Sequence, residues 1–87
     1  QRAIGGEEVI TLSDERMELV DFIAKPKTRI IGKNIHKELP KDSMVGMVLR
    51  GGKPMVPDAD FKVMDGDRVL VMSMPDVVSK VKKLFVG

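Results

Sequence analysis

Apolar residues run almost without interruption through residues 44–50, which predicts a β-strand near the middle of the chain. Side chains point alternately to the two faces of an extended chain. Strict alternation gives this strand two apolar faces. One face is formed by Val45, Met47 and Leu49, and the other by Met44, Gly46 and Val48. A strand that is apolar on both sides is expected inside a sheet, or between a sheet and a partner. Gly51 and Gly52 then predict a two-residue hairpin turn, because both turn positions need positive φ.

Three further apolar stretches predict the other strands of a sheet. Residues 17–24 alternate with the period of a strand and are followed by Pro26, which cannot donate a backbone hydrogen bond. Residues 68–74 follow the turn signal of Asp65 and Gly66 and have the same period. The short apolar patch at residues 9–12 is expected to pair back on the strand at residues 17–24.

Two segments have the period of a helix. Residues 33–39 are predicted to form a short helix that turns Ile35 and Leu39 inward and stops at Pro40. The last helix is predicted to begin near Pro75 and to present an apolar stripe, formed by Val77, Val78, Val81, Leu84 and Phe85. From residue 17 onward the predicted fold is therefore α+β. It has one mixed, mainly antiparallel sheet with two helices packed on it, in the order β-α-β-β-β-α.

Composition narrows the class of protein without identifying it. The chain has 87 residues, of which 43% are hydrophobic and 32% are charged, which is typical of one small folded domain. It has no cysteine, which excludes disulfides and thiolate metal sites and fits a reducing compartment. Three phenylalanines without any tryptophan or tyrosine argue against stacking of single-stranded nucleic acid. No apolar run reaches the roughly 18 residues that a membrane span needs.

The charged residues suggest three sites, and each has a simpler explanation. His36 stands alone among charged neighbours, where a histidine is usually an ordinary surface residue, although imidazoles in general titrate near neutral pH. The aspartates between residues 58 and 67 lack the spacing of a calcium loop and are explained equally well by turns, so no metal site is predicted. A basic edge around the first helix lacks a glycine-rich phosphate cradle and is interpreted as solvated; it is formed by Arg29, Lys33, Lys37 and Lys41.

The sequence offers no catalytic arrangement. None of its serines has an adjacent base. No pair of acidic residues lies in surroundings that would give its two carboxyl groups different pKa values. The chain is therefore predicted not to be an enzyme. Seven methionines are many for this length. Four of them lie in predicted strands and are interpreted as adaptable core residues, with a permissive apolar groove for a ligand or partner as the alternative: Met44, Met47, Met55 and Met72.

An ordered set of features between residues 17 and 85 resembles the regulatory domain of potassium-transport proteins that is known as RCK-C or TrkA-C. The set begins with Glu-Leu-Val-Asp-Phe at residues 18–22 and continues with Ile-Gly-Lys at residues 31–33, before a helix that ends in Leu-Pro. The strand at residues 45–50 follows, with its glycine turn and then Met-Val-Pro at residues 55–57. The set closes with Asp-Gly-Asp-Arg-Val-Leu-Val at residues 65–71, ahead of the last helix.

The resemblance implies a cytoplasmic, ligand-sensing regulatory domain over residues 17–87. Such a domain forms a homodimer and biases a membrane-embedded cation transporter subunit, so it would lie at the inner face of the membrane. Residues 1–16 would be a linker or a strand leading in from a preceding domain. In the family that preceding domain is of Rossmann type and binds nucleotide. No Gly-x-Gly-x-x-Gly motif is present here, so no cofactor is expected in this segment. Nucleic acid is not expected among the partners of such a domain.

Some members of the family bind cyclic di-AMP at the dimer axis, through an asparagine at a strand start and a nearby arginine. Met44 stands at the asparagine position here, and a thioether cannot replace the donor and acceptor of an amide. Weak or absent binding of cyclic di-AMP is therefore expected. A pocket for another small-molecule effector is expected around Ile35, His36, Met44, Val45 and Pro57. The dimer interface is expected at Met44, Gly46 and Val48, where surplus apolar surface is predicted.

Two other functions stay open at this point. The domain could sense a ligand for a different membrane carrier, such as an anion or dicarboxylate transporter, because such modules are reused. A net charge of +2 also allows a small basic DNA-binding dimer, which steep salt dependence of binding to duplex DNA would identify.

Overall fold

The fold is built on an open antiparallel sheet. A computed structural model of the chain describes residues 3–4, 7–12 and 17–86. The strands are β1 (Ala3–Ile4), β2 (Glu7–Leu12), β3 (Met17–Ile23), β4 (Ser43–Arg50), β5 (Lys53–Met55) and β6 (Arg68–Ser73). Helix α1 (Ile35–Glu38) lies between β3 and β4, and a 3-10 turn (Pro75–Val77) leads into the last helix, α2 (Val78–Leu84).

The strands lie side by side in the order β1-β2-β3-β6-β4-β5, and every described pair is antiparallel. Strand β6 occupies the middle, so that Val20 of β3 and Val45 of β4 both lie opposite Val71. The predicted α+β fold and its β-α-β-β-β-α order from residue 17 onward are confirmed. The predicted pairing of residues 9–12 is confirmed as well, because Val9 lies opposite Val20 within β2 and β3.

One face of the sheet, here called the inner face, carries the core. Its buried strand residues are Val20, Phe22, Val45, Val48, Val69 and Val71. Val81 and Leu84 of α2 belong to the same cluster, and the ring of Phe85 stacks on that of Phe22 with 4.7 Å between centroids. Ile35 of α1 completes the cover on this side. Burying a valine or leucine side chain stabilises a fold by about 1.5–3 kcal/mol, so this layer of helix on sheet is the main source of stability.

The turns follow the local sequence closely. Gly51 and Gly52 have φ of +59° and +80°, which confirms the predicted hairpin turn between β4 and β5. Helix α1 is shorter than predicted because it is capped at both ends. The Asn34 side chain accepts a hydrogen bond of 2.9 Å from the amide of His36, and Leu39 is extended, as expected for a residue before proline.

The prediction of strict alternation along β4 is wrong, because the strand contains a β-bulge. Val45 lies opposite Val71 and Met47 lies opposite Leu70, so Gly46 is an extra residue between two consecutive positions of β6. The bulge reverses the phase of the strand. Val45 and Val48 therefore both lie on the inner face, and Met47 shares the opposite face with Met44.

Candidate functional site

The face of the sheet opposite the helices is apolar. Residues that lie directly opposite each other in an antiparallel pair share a face, so the register defines this surface. Leu19 and Met44 both lie opposite Met72, and Met47 lies opposite Leu70. We call this surface the outer face and define it by Met17, Leu19, Met44, Met47, Leu70 and Met72. In the described part of the chain, both helices pack on the inner face instead.

The outer face is partly open to solvent. Met44 is 54% exposed and Met47 is 38% exposed, whereas Leu19, Leu70 and Met72 are half-buried between their neighbours. A single exposed apolar residue on a protein surface needs no explanation, but a continuous apolar patch on a small domain usually marks a place where something binds. The outer face is therefore the main candidate interaction surface among the described residues.

Two shallow depressions lie on this face. One, of about 260 Å³, is lined by Met17, Asp42, Ser43, Met44 and Met74 and lies where β4 begins. The other, of about 220 Å³, is lined by Leu19, Gly46, Met47, Leu70 and Met72. Gly46 contributes to the second depression because it has no side chain to fill it, and the thioethers around both are flexible enough to adjust to an occupant. Among the described residues, Asp42 and Ser43 are the polar side chains that line either depression.

An ion pair bounds the outer face at one end. Arg68 donates to the Asp21 carboxylate over 2.7 Å, and Asp21 is buried although it lies on the same side of β3 as Leu19. The Oδ1 atom of Asp21 has no hydrogen-bond partner among the described residues. Among the residues that define this face, charge is therefore absent, and the Asp21–Arg68 pair lies beside them.

A second ion pair, between Arg50 and Asp67, lies outside the outer face and was not anticipated from the sequence. Asp67 is 1% exposed and accepts two hydrogen bonds from the Arg50 guanidinium, at 2.9 and 2.8 Å, and a third from the Met64 amide at 2.8 Å. Burial raises the pKa of Asp67, but the hydrogen bonds from Arg50 and Met64 outweigh it and hold the pKa below its ordinary value. The guanidinium of Arg50 also lies 4.7 Å from the ring centre of Phe61. This cluster fastens the β5–β6 connection to the end of β4.

The residues predicted for an effector pocket lie in two separate places. Ile35, Val45 and Pro57 are buried, and Ile35 is part of the inner core. His36 is exposed on α1, where its Nε2 atom lies 2.8 Å from the carbonyl oxygen of Asp58. Met44 lies on the outer face and lines the 260 Å³ depression. Of the five residues, Met44 alone lines either depression, so the effector pocket stays a prediction.

Because of the bulge, the residues predicted for a dimer interface do not all lie on the same face of the sheet. Met44 and Gly46 line depressions of the outer face, as expected for accessible residues. The placement of Val48 is wrong, because it is fully buried on the inner face against this chain's own core. The residues that sequence reasoning missed are Met47, which strict alternation assigned to the other face, and Leu70 and Met72. The apolar alternation of β6 was the signal for the last two.

The acidic residues between positions 58 and 67 serve the local structure. Asp58 accepts a hydrogen bond of 3.0 Å from the amide of Asp60 in a turn, and Asp67 pairs with Arg50. Within the described ranges, no group of three or more histidine, cysteine, aspartate or glutamate side chains is arranged to hold a metal ion. In the same part of the chain, no helix is both long and apolar enough to cross a membrane.

Comparison with known proteins gives consistent results. The TrkA-C domain family profile matches residues 19–86. A Trk system potassium uptake protein, TrkA homolog 1 from Methanosarcina mazei, is 39% identical over 82 residues, and TrkA homolog 2 of the same organism is 32% identical over 82 residues. A TrkA homolog from Archaeoglobus fulgidus is 30% identical over 76 residues. The alignments cover 93%, 93% and 86% of this chain, but only 18%, 18% and 17% of the relatives, which are several times longer.

Proposed function

The chain belongs to the TrkA-C domain family, and on that premise we propose that it is the regulatory domain of a potassium uptake system. In this proposal two copies form a homodimer, a small effector binds between them, and the dimer changes the activity of a membrane-embedded transporter subunit. The observation that carries the proposal is the family match over residues 19–86, which includes nearly every residue from β3 to α2.

The relatives favour potassium over other transported ions. Three relatives are all named as Trk system potassium uptake proteins, and each aligns with most of this chain. A domain on an anion or dicarboxylate carrier, which the sequence alone left open, has no comparable support. Because the alignments cover less than a fifth of each relative, potassium transport by the whole protein is an inference from these names.

The proposed mechanism is a shift between two arrangements of the domains. A ligand can change such an equilibrium only by binding one arrangement more tightly than the other. An effector that contacts both copies of a dimer meets this condition, because it loses half of its contacts when the copies separate. The attached parts of the protein would then transmit the change to the transporter, at the inner face of the membrane.

The depression at the start of β4 is the preferred location for the effector. It is lined by the flexible side chains of Met17, Met44 and Met74, and its rim carries the polar residues Asp42 and Ser43. An apolar floor with a few polar groups is typical of small-molecule sites. Met44 cannot supply the hydrogen bonds of an amide, so we expect cyclic di-AMP to bind weakly here. Any nucleotide cofactor is expected on a preceding Rossmann-type domain.

A thermal-shift screen of the 87-residue chain tests the effector. The compounds are cyclic di-AMP, cyclic di-GMP, ATP, ADP, NADH and divalent cations, each added to the same protein sample. A compound that binds only the folded state at 100 times its Kd adds about 2.7 kcal/mol to the free energy of unfolding, which is a large shift for a small domain. We expect at least one compound to raise Tm and cyclic di-AMP to leave it nearly unchanged.

Calorimetry with the active compound then separates the outcomes. Met64 is the control position, because it is 55% exposed and lies outside the outer face. The site is supported if the enthalpy of binding disappears in Met44→Glu but persists in Met64→Glu. Micromolar binding of cyclic di-AMP would contradict the argument from Met44. Two results together would contradict the proposed function as a whole: none of the compounds binds, and the chain sediments as a monomer at millimolar concentration.

A further inference from the structure

We propose that this chain binds the surface of an anionic phospholipid membrane through a basic patch on its helix-covered side. The patch consists of six cations from the β3–α1 connection and helix α2: Lys25, Lys27, Arg29, Lys80, Lys82 and Lys83. The choice of a membrane as the partner rests on the proposed function, which brings the domain to the inner face of a membrane. The inference adds to that function a direct contact with lipid headgroups, separate from any contact with a transporter subunit.

The two segments that form the patch lie at the same end of the domain. Strand β6 is antiparallel to β3, and its last residue, Ser73, lies opposite Glu18 near the start of β3. Helix α2 then returns over the inner face until the ring of Phe85 stacks on that of Phe22, with 4.7 Å between centroids. Phe22 lies near the end of β3, where the β3–α1 connection begins. The C-terminal end of α2 is therefore next to the start of this connection.

Charge is strongly segregated along the chain. Residues 24–41 and 75–86, whose apolar side chains cover the inner face, include nine basic and two acidic residues, which is a formal charge of +7. The formal net charge of the whole chain is +2, so the remaining residues have a formal charge of −5. The patch comes from the parts of these segments without acidic residues, because residues 24–37 and 77–86 contain none.

The six cations of the patch are available to an anionic partner. Five of them are exposed, and Lys82 is half-buried. Among the described residues, the ion pairs involve other side chains, so no carboxylate lies within 4.0 Å of a patch cation. Asp65 lies in the turn that borders the patch, where the Gly66 amide donates to the carbonyl oxygen of Ala24 at 2.7 Å. The positive charge of the patch is therefore largely uncompensated.

The backbone of Lys27 gives independent support for a role of its charge. In the turn at residues 25–28, the Thr28 amide donates to the carbonyl oxygen of Lys25 at 3.2 Å, and Pro26 occupies the second position. Lys27, in the third position, has a φ of +70°, which glycine adopts freely and lysine adopts only with strain. A strained residue that is kept on the surface points to a function of its side chain. Here the exposed side chain supplies a cation at the tip of the turn.

The composition and shape of the patch favour a membrane over other anions. A free nucleotide binds in a concave site, and no patch residue lines either of the two depressions. Sequence-specific binding of DNA relies on the bidentate fork of arginine, whereas five of the six patch residues are lysines. A lysine is a compact, hydrated point charge, which suits a surface with many phosphodiester groups.

The number of cations predicts the strength of the association. A lysine or arginine close to an anionic membrane strengthens binding by about fivefold. Four such contacts at the same time would therefore make the affinity for an anionic membrane roughly several hundred times higher than for a neutral one. The attraction decays within a Debye length, which is about 8 Å at physiological ionic strength, so binding should depend steeply on salt.

Co-sedimentation of the 87-residue chain with lipid vesicles tests the proposal. The vesicles contain phosphatidylcholine alone, or phosphatidylcholine with about 30% phosphatidylglycerol, in buffers with about 50, 150 and 500 mM NaCl. We expect the wild-type chain to bind the anionic vesicles, to leave the neutral vesicles unbound, and to lose binding as the salt concentration rises.

Two variants with the same change of charge test the location of the contact. Lys83→Glu, in the patch, should weaken binding by at least about tenfold. Lys53→Glu changes an exposed lysine of β5, outside the patch, and should change binding by less than about twofold. Circular dichroism establishes that each variant is folded, and Lys80→Glu replaces Lys83→Glu if the latter is not.

The variant Lys27→Gly separates a binding role from a structural one. It removes one positive charge and gives the turn the residue that its φ favours, so it should melt no lower than the wild type. Its affinity for the anionic vesicles should nevertheless fall by about fivefold. A Lys27→Gly chain that binds these vesicles as tightly as the wild type would count against the patch.

The remaining outcomes separate this inference from its alternatives. Equal weakening by Lys83→Glu and Lys53→Glu, or equal binding to neutral and anionic vesicles, would overturn the patch as a lipid site. Tighter binding to duplex DNA of about 20 base pairs than to anionic vesicles at the same salt concentration would assign the patch to nucleic acid instead. A chain that binds an effector in the thermal-shift screen but binds no vesicle would overturn this inference and leave the proposed function intact. Salt-dependent vesicle binding by a chain that fails the effector and dimer tests would support the patch and contradict only the proposed function.

Discussion

The guanidinium of Arg50, at the end of β4, donates two hydrogen bonds to the buried carboxylate of Asp67, at 2.9 and 2.8 Å. The same guanidinium donates to the carbonyl oxygen of Lys62 at 3.1 Å and lies over the ring of Phe61. The backbone of Asp67 takes part as well, because its carbonyl accepts a hydrogen bond of 2.8 Å from the amide of Ala24. One acidic residue thus connects the ends of β3 and β4 with the turn before β6.

Replacing Asp67 with alanine should lower the free energy of unfolding by about 2–3 kcal/mol. The substitution leaves the Arg50 guanidinium and the Met64 amide without their acceptor, and losing one partner of a buried pair is costly. Arg50 is 35% exposed, so water recovers part of its solvation and the loss stays below that of a fully buried pair. Urea denaturation measures the change. Asp65→Ala in the same turn is the control, and a loss of equal size there would refute a specific role for Asp67.

The same ion pair predicts how stability depends on pH. Because the pKa of Asp67 is lower in the folded state than in the unfolded chain, its stabilisation is complete above the unfolded value of about 3.9. The stabilisation is lost as the pH falls through the folded pKa. Urea midpoints measured between about pH 5 and pH 2 should fall more steeply for the wild type than for Asp67→Asn. Parallel curves would mean that Asp67 keeps an ordinary pKa in the fold.

A charge at position 48 should unfold the domain rather than separate two copies. Val48 is fully buried on the inner face, and an unpaired carboxylate there costs several kcal/mol. We expect Val48→Asp to lose its cooperative melting transition, and Val48→Ala to remain folded with a free energy of unfolding lower by about 2 kcal/mol. Met47→Asp, one residue away on the outer face, should melt close to the wild type. A folded Val48→Asp chain with a normal transition would contradict the bulged register of β4.

The hairpin turn should tolerate asparagine at one glycine and resist a β-branched residue at the other. Gly51 has a φ of +59°, which asparagine adopts readily, so Gly51→Asn should change the free energy of unfolding by less than about 0.5 kcal/mol. Gly52 has a φ of +80°, where a β-branched side chain is strained, so Gly52→Val should cost about 1–2 kcal/mol. Thermal melting of both variants measures the difference. Equal melting temperatures would exclude a turn with positive φ at both positions.

Oxidation of methionine should weaken association of the chain. Hydrogen peroxide converts an exposed thioether into a polar sulfoxide, and Met44 and Met47 are more accessible than Met17 or Met72. We expect a higher dissociation constant after treatment, measured by sedimentation, with the modified positions assigned by mass spectrometry. The double variant Met44→Leu, Met47→Leu is the matched control and should resist the treatment. Equal sensitivity of this variant would place the responsive methionine elsewhere.

Strands β3 and β6 were predictable because side chains point alternately to the two faces along the whole of each strand. Residues 17–24 and 68–74 keep the period of a strand, although Glu18 and Asp21 interrupt the apolar sets of the first, and the structure has β3 and β6 there. The bulge in β4 was not predictable in the same way. Its signal is a single glycine, and glycine occurs in ordinary strands as well as in bulges. The ion pair of Arg50 with Asp67 also escaped prediction, because it joins residues that are 17 positions apart across a turn.

The candidate site was predictable in part. The apolar excess of the central strand pointed to Met44 and Gly46, and both line depressions of the outer face. The partners of these residues on β3 and β6 depend on strand order, which the sequence pattern leaves open. A pocket that combines Ile35 with Met44 was inferred from resemblance to relatives. The structure places these two side chains in different layers, one in the core and the other on the outer face.

The bulge at Gly46 has a consequence for changes in chain length. Because Gly46 is the surplus residue of β4 against β6, a chain that lacks it can pair Val45 and Met47 with consecutive residues and keep every other side chain where it was. Loss of Val48 or Leu49 would instead shift the rest of the strand by one step and exchange what faces the core with what faces outward. Gly46 is therefore the residue of β4 whose deletion the fold is expected to tolerate.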